Sequence, residues 1–103
     1  MSFAQTSTEY WLEDGHILHA YCQNADGDSV QSQIDLNGFI GNSDGWFEWG
    51  GVDFTETAEN IQLEGSRLTA ELYTVEGGTR ERQGIELNDR IGNDNGQLSY
   101  IGG

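Results

Sequence analysis

His16, His19 and Cys22 are the residues best suited to catalysis or metal binding, and they lie close together in the sequence. A thiol beside an imidazole can act as a nucleophile–base pair, and two imidazoles can share a zinc ion. The segment around them alternates apolar and polar residues, which predicts a β-strand on which residues three apart point to opposite faces. This separation argues against both kinds of site. We predict that Cys22 is a small core residue and that His19 is a surface residue.

The 18 Asp and Glu residues raise two further kinds of chemistry, calcium binding and glycoside hydrolysis. An EF-hand loop needs acidic or amide ligands at its first, third and fifth positions and a glycine at the sixth. Aligning Gly27, Gly45 or Gly96 with the sixth position puts Cys or Ile at the first, so no regular calcium loop is present. An irregular calcium site stays an open alternative. Glu13 and Asp14 are adjacent in a predicted turn and form no catalytic cleft. We therefore expect no metal, no cofactor and no enzyme activity.

The composition indicates a small folded protein with a strongly negative surface. Its 103 residues include 18 acidic and four basic residues, which gives a net charge of −14 with both histidines neutral. Such a surface repels nucleic-acid phosphates and anionic lipid headgroups, so we expect neither nucleic acid nor a membrane as a partner. The single cysteine and the lack of a signal-peptide pattern at the amino terminus favour a reducing, cytoplasmic location.

The chain repeats itself with a shift of 51 residues. Ile34–Trp49 aligns with Ile85–Tyr100, and seven of these sixteen paired positions are identical. We predict one domain made of two repeats, about residues 1–50 and 51–103. Each repeat is too poor in apolar residues to fold alone, so the two are expected to share a core.

Alternation and turn residues predict the elements that must position any functional side chain. Residues 16–24 place Leu, Ala and Cys on one strand face, and residues 68–73 repeat the pattern with Leu, Ala and Leu. Segments 36–42 and 87–93 are too short for a full helix but have a spacing that suits a single helical or 3-10 turn. Further strands are predicted at residues 30–34, 45–49, 80–85 and 96–100. Hairpin turns are predicted at Asp14–Gly15, Asp26–Gly27 and Gly77–Gly78.

A doubled motif carries a resemblance to a known family. The first copy reads Ile34-Asp-Leu-Asn, then Ile40-Gly-Asn-Ser-Asp-Gly45, and its echo reads Ile85-x-Leu-Asn, then Ile91-x-Asn-x-x-Gly96. With Phe54-x-Glu-Thr57 and Asn60-Ile-Gln-Leu63, this pattern resembles the cyanovirin-N homology family over nearly all of the chain. The resemblance implies an all-β, pseudo-twofold fold with triple-stranded sheets, β-hairpins and short 3-10 turns, in which the repeats exchange strands. It also implies a lectin for α-linked mannose and high-mannose glycans, with one pocket near each end of an elongated molecule.

The prototype of this family has four half-cystines. Their places in this chain hold Ser7, Cys22, Ala58 and Leu72. Both disulfides are therefore absent, so packing must hold the fold, and the secreted context of the prototype does not transfer.

The resemblance implies two sets of sugar-binding residues. Short amide, carboxylate and hydroxyl side chains on turns suit the neighbouring hydroxyls of mannose. The central pocket comprises Asn42, Ser43, Asp44, Asp53, Glu56, Thr57 and Thr74, with Gly41, Tyr73 and Val75 where this chain departs from the prototype. The termini pocket comprises Gln5, Thr6, Gln23, Asn24, Asn93, Asp94 and Asn95, with Ala25 in place of a threonine.

Four of these residues have a structural explanation as well as a functional one. Asn42, Asp44, Asn93 and Asn95 lie in glycine-terminated segments of the kind that form ordinary turns.

We expect the central pocket to be the stronger because it keeps more polar groups. The alternative function is a protein–protein interaction module on the same fold with decayed sugar pockets.

Aromatic residues offer a further interpretation, because Trp46, Phe47 and Trp49 with Trp11 could stack on a sugar. Alternation sends Phe47 and Trp49 to one face and Trp46 to the other. We predict that Phe47 and Trp49 belong to the core and that Trp46 is the more exposed.

The link between the repeats predicts how the chain assembles. In the prototype this link contains a proline, whereas here it holds Gly50 and Gly51, and the chain has no proline. Flexible glycines let the chain fold back on itself, and the charge of −14 makes two chains repel one another. We predict a monomer, with a domain-swapped dimer as the alternative.

Overall fold

Residues 3–101, the part of the chain that the computed structural model describes, form short antiparallel strands joined by hairpins and 3-10 turns. The strands of the first repeat are β1 (Ser7–Glu13), β2 (Ile17–Gln23), β3 (Ser29–Asp35), β4 (Ile40–Ser43) and β5 (Trp46–Trp49). Those of the second are β6 (Ala58–Glu64), β7 (Arg67–Leu72), β8 (Gln83–Glu86), β9 (Ile91–Asp94) and β10 (Gln97–Tyr100). The 3-10 turns span Phe3–Thr6, Leu36–Gly38, Phe54–Thr57 and Leu87–Asp89. None of the described helical segments has the length and apolar character needed to span a bilayer.

Each repeat builds a three-stranded sheet and places a hairpin against the other repeat. The sheets have the strand orders β1-β2-β3 and β6-β7-β8, and the hairpins β4-β5 and β9-β10 are separate two-stranded ladders. Hairpin β9-β10 contacts β3 and the Phe3–Thr6 turn, and the Leu98 N–H donates to Ser32 Oγ at 3.0 Å. Hairpin β4-β5 contacts the Phe54–Thr57 turn and β8. The predicted all-β fold with strands exchanged between repeats is confirmed, in a molecule measuring 50 × 25 × 17 Å.

The hydrophobic core draws on both repeats. Phe3 and Phe54 occupy equivalent positions, and both are fully buried in one cluster with Leu18 of β2 and Leu68 of β7. Burying each such side chain contributes about 1.5–3 kcal/mol. Cys22 is also fully buried in this cluster, as predicted.

Carboxylates at equivalent positions begin two of the 3-10 turns. Asp35 accepts from the Asn37 N–H at 3.0 Å, and Glu86 accepts from the Asn88 N–H at 3.3 Å. Desolvation raises the pKa of Asp35, but hydrogen bonds from the His16 ring and the Asn37 N–H outweigh it and lower that pKa below its usual 3.8. These caps satisfy backbone N–H groups that short turns leave unpaired.

The structure corrects the predicted extent of several elements. Segments 36–42 and 87–93 are turns only over their first three residues, because the backbone then pairs as strands β4 and β9. The strand predicted at residues 80–85 is shorter, since β8 covers only Gln83–Glu86. The chain before it is irregular, and the Arg80 and Arg82 guanidinium groups there donate to the backbone carbonyls of other segments.

His19 is buried, so its prediction as a surface residue is wrong. Its side chain lies under Trp11, with parallel rings whose centroids are 5.2 Å apart, and its Nε2 lies 2.7 Å from Glu13 Oε1. Thr69, at the equivalent position of β7, is also buried and donates to Glu64 Oε2 at 2.8 Å. In both sheets, side chains of the first strand fold over the outer face of the middle strand, which alternation along one strand does not reveal.

The four half-cystine positions of the prototype are cross-strand neighbours here. Ser7 pairs with Cys22 across β1 and β2, and Ala58 pairs with Leu72 across β6 and β7. Ser7 Oγ lies 3.6 Å from Cys22 Sγ. The fold thus keeps both pairs adjacent and joins them by packing instead of a covalent bond.

Replacing Ser7 with cysteine is expected to form a disulfide with Cys22 and to raise the free energy of unfolding by about 2 kcal/mol, because the bridge restricts the unfolded chain. Urea denaturation with and without reductant measures this gain. The matched control is Thr8→Cys, which adds a thiol at the neighbouring position. Equal stability of oxidised and reduced Ser7→Cys protein would contradict the prediction.

Candidate functional site

Asn42 is the centre of the first candidate site and joins three segments of the chain. Its Nδ2 donates to Thr57 Oγ1 at 2.8 Å and to the Tyr73 carbonyl oxygen at 2.9 Å. Its Oδ1 accepts from the Gly45 N–H at 2.7 Å. One amide therefore ties the β4-β5 hairpin of the first repeat to the Phe54–Thr57 turn and to the end of β7 in the second repeat.

Asp44 adds a second connection between the same segments. It has a left-handed backbone conformation with φ of 49°, followed by Gly45 with φ of 89°, as a tight hairpin turn requires. Its Oδ1 accepts from the Val75 N–H at 3.0 Å, and its carbonyl oxygen accepts from Arg80 Nη2 at 2.8 Å. The turn is thereby fixed against the chain that follows β7.

The remaining central residues divide into exposed groups and backbone contributors. Ser43, Asp53, Glu56 and Thr57 are exposed on the surface around Asn42 and the turn that follows Asp53. Gly41 is buried, because its backbone lies against that of Gly51. Gly41 has no side chain of its own, and its packing against Gly51 leaves no room for one that could contact a ligand.

The side chains of Tyr73 and Thr74 contribute little to the Asn42 cluster, because both are hydrogen-bonded to other groups. The Tyr73 hydroxyl donates to the Glu59 carboxylate, and this hydrogen bond is the main cause that raises the pKa of Tyr73 above its usual 10.0. Thr74 Oγ1 donates to the Gly78 carbonyl oxygen at 3.2 Å. At Tyr73 it is the backbone carbonyl that belongs to the Asn42 cluster.

Asn93 is the centre of an equivalent cluster formed by the other ends of the repeats. Its Nδ2 donates to Thr6 Oγ1 at 2.9 Å and to the Gln23 carbonyl oxygen at 2.8 Å, while its Oδ1 accepts from the Gly96 N–H at 2.8 Å. Asn95 Oδ1 accepts from the Ala25 N–H at 2.8 Å, as Asp44 does from Val75. The structure therefore brings together the core members of both predicted sites.

The other residues predicted for the termini site surround this cluster. Asn24 Oδ1 accepts from the N–H groups of Asp26 and Asp28, both at 3.0 Å, so its side chain closes its own turn. Gln5, Gln23 and Asp94 are exposed. Together with the exposed Asn95, these three side chains supply polar groups that face solvent.

Two residues beside the central cluster are not among the predicted pocket residues, although Trp46 is one of the aromatic residues that could stack on a sugar. Arg80 lies with its Cζ 4.3 Å from the centroid of the Trp46 ring, next to the Asp44 turn. Trp46 is 51% exposed, as alternation predicts, and Phe47 and Trp49 pack against the core as partly buried residues. Alternation along the strand predicts the exposure of Trp46, whereas nothing in the sequence places Arg80 against it.

A groove of about 480 Å³ lies away from both clusters, between β1 and β6. It is lined by Tyr10, Trp11, Leu12, Gly15, Ile61, Gln62 and Leu63. Polar atoms line its walls at least as much as apolar atoms do, and none of its lining residues belongs to the doubled motif. We therefore place the candidate function at the Asn42 and Asn93 clusters instead. Among residues 3–101, no group of three or more His, Cys, Asp or Glu side chains is placed to hold a metal ion.

Comparison with known families agrees with the duplicated fold. A family model described as CVNH domain matches residues 3–99. The chain belongs to the CVNH family. A cyanovirin-N homolog from Tuber borchii is 48% identical over 97% of this CVNH chain and 99% of its own length. The solved structure of the Tuber borchii protein has a TM-score of 0.86 to this one.

Two similar solved structures are complexes with sugars. One is a microvirin–mannobiose complex, 30% identical, covering 94% of this CVNH chain and 95% of its own, with a TM-score of 0.82. The other is a variant of MoCVNH3 in complex with (N-GlcNAc)4, 26% identical, covering 95% of both chains, with a TM-score of 0.87.

Proposed function

We propose that this CVNH chain is a lectin that binds mannose-type oligosaccharides reversibly and without catalysis. The observation that carries the proposal is the doubled cluster around Asn42 and Asn93, which holds exposed polar groups on fixed turns. Membership of the CVNH family supports it, as do the mannobiose bound by microvirin and the (N-GlcNAc)4 bound by the MoCVNH3 variant.

Within each cluster, the asparagine and its neighbours have different tasks. The Asn42 and Asn93 amides already bond to protein groups, so they position the turns. The sugar hydroxyls bond to the exposed neighbours, such as Ser43 and Glu56 in the central site and Asp94 in the termini site. Each of these bonds replaces a bond to water, which leaves a net contribution of about 0.5–1.5 kcal/mol and keeps the affinity of one site modest.

Charge restricts the ligand to neutral sugars. Asp44, Asp53 and Glu56 provide carboxylates that accept hydrogen bonds from sugar hydroxyls. The same carboxylates, within a chain of net charge −14, repel sulfated or carboxylated glycans.

An NMR titration with α-linked mannobiose tests this proposal. The amides of residues 41–44, 53–57 and 73–76 are expected to shift first, because the central site keeps more polar groups. Cellobiose at the same concentrations is the control and is expected to leave these amides unchanged.

Two outcomes would contradict these expectations. Shifts confined to residues 5–6, 23–25 and 93–95 would reverse the ranking of the two sites. No shift with mannobiose, together with a glycan array that shows no mannose-containing hits, would overturn the lectin function and favour a protein–protein interaction module.

A further inference from the structure

The central cluster has an exposed tryptophan held in place by an arginine. The Arg80 guanidinium lies over the Trp46 ring, with 4.3 Å between Cζ and the ring centroid. The same guanidinium donates to the Asp44 carbonyl oxygen from Nη2 at 2.8 Å and from Nε at 3.2 Å. These contacts fix the indole beside the Asp44 turn, although Trp46 is 51% exposed.

The termini cluster lacks this pair, which gives an internal comparison. The repeat shift places Gln97 where Trp46 stands. A Cβ added to Gly45 would meet the Arg80 Cβ at 3.2 Å, and one added to Gly96 would meet the Val30 Cβ at 3.3 Å, so Val30 stands where Arg80 does. The two clusters thus share their Asn-centred scaffold and differ in the surface next to it.

An indole held in this way is suited to a sugar ring. It presents a flat apolar face and an N–H donor, which match the C–H face and the hydroxyl rim of a pyranose. The cation–π contact with Arg80 restricts the indole before a ligand arrives, so less side-chain entropy is lost on binding.

Charge at the pair favours a neutral ring over an anionic one. Arg80 Nη2 lies 3.7 Å from Asp44 Oδ2, so the nearby carboxylate offsets its positive charge. An anionic sugar would also approach a chain of net charge −14. A neutral pyranose is not repelled by this net charge.

We propose that Trp46, held by Arg80, forms an outer subsite that stacks one further neutral pyranose ring, beyond a disaccharide bound at the Asn42 cluster. This inference rests on the proposed lectin function. It makes the central site prefer a trisaccharide over a disaccharide, whereas the termini site, with Gln97 and Val30, has no such preference.

The test compares wild-type protein and Trp46→Gln, which copies the counterpart residue at an exposed position. Affinities for α-linked mannobiose and mannotriose are read from the amides of residues 41–44. Wild type is expected to bind mannotriose more tightly. Trp46→Gln is expected to lose about three- to tenfold in mannotriose affinity and nothing in mannobiose affinity. The matched control, Gln97→Ala, should change neither.

The outcomes separate the subsite from the lectin function. Equal mannotriose affinity in wild type and Trp46→Gln overturns the subsite alone, whereas failure of wild type to bind either sugar overturns the lectin function and the subsite with it. Arg80→Val keeps the indole and removes its support. It is expected to shift the Trp46 indole N–H resonance and to lose part of the mannotriose preference, and an unchanged resonance and preference would overturn the role of Arg80.

Discussion

Replacing Asn42 with alanine is expected to lower the free energy of unfolding by about 3 kcal/mol, or roughly 12–24 °C in melting temperature for a chain of this size. The Asn42 amide donates to Thr57 Oγ1 at 2.8 Å and to the Tyr73 carbonyl oxygen at 2.9 Å, and it accepts from the Gly45 N–H at 2.7 Å. Each bond contributes about 1 kcal/mol, and alanine would leave the Gly45 N–H and the Tyr73 carbonyl without their partner. Thermal and urea denaturation followed by circular dichroism measure the loss.

Two further variants test the explanation. Ser43→Ala changes the next residue, whose side chain is exposed, and is expected to alter stability by less than about 0.5 kcal/mol. Asn93→Ala repeats the change in the equivalent cluster and is expected to cost about as much as Asn42→Ala. Wild-type stability of Asn42→Ala would show that these hydrogen bonds contribute nothing net.

The same geometry decides how a loss of sugar binding in Asn42→Ala would be interpreted. If Asn42 acts by positioning the turn, amides near Gly45 and Tyr73 shift in the variant even without sugar. If Asn42 instead contacts the sugar directly, the sugar-free spectrum stays close to that of wild type. Recording both spectra separates the two roles.

The duplicated sequence predicts two copies of the same short elements and turns, and the family resemblance implies the strand exchange and the location of both clusters. Asn42 and Gly45 recur as Asn93 and Gly96, and the structure gives both pairs the same hydrogen bond and both glycines a positive φ, 89° and 92°. Turns that recur in both repeats can therefore be predicted from the sequence, because the residues that form each turn are adjacent in the chain.

Contacts between distant segments could not be predicted in this way. Arg80 has no basic counterpart in the first repeat, so no internal repetition points to its contact with Trp46. The burial of His19 depends on Trp11, which reaches it only through the pairing register of β1 and β2. Such contacts depend on register and side-chain direction, which one strand's alternation does not specify.

The link between the repeats is held by a close approach of two backbones. A Cβ added to Gly51 would lie 2.7 Å from Gly41 Cα, and one added to Gly41 would lie 2.9 Å from Gly51 Cα. The Gly50 N–H also donates to the Phe39 carbonyl oxygen at 2.7 Å. Gly41 and Gly51 therefore allow the closed link to pack tightly, in addition to giving the link the flexibility that the sequence indicates.

Wild-type protein is expected to be a monomer at micromolar concentration near neutral pH. The closed link needs no Cβ at Gly41 or Gly51 and so carries no steric strain that opening would relieve. Two chains of charge −14 also repel one another, most strongly at low salt. Size exclusion with light scattering, run across salt and protein concentrations, checks this expectation, and a stable dimer at low salt would contradict it.

Gly51→Ala is expected to cost about 3 kcal/mol of monomer stability and to shift the protein toward a strand-exchanged dimer. The added methyl group collides with Gly41 only while the link is closed, so an open link that passes the second repeat to another chain relieves the collision. The matched control is Gly50→Asn. Gly50 has a φ of 87° and no atom within 4 Å of an added Cβ, and asparagine tolerates positive φ, so this variant is expected to stay monomeric and to lose less than about 1 kcal/mol. If Gly51→Ala is instead a monomer of wild-type stability, the approach of the two glycine backbones does not determine assembly.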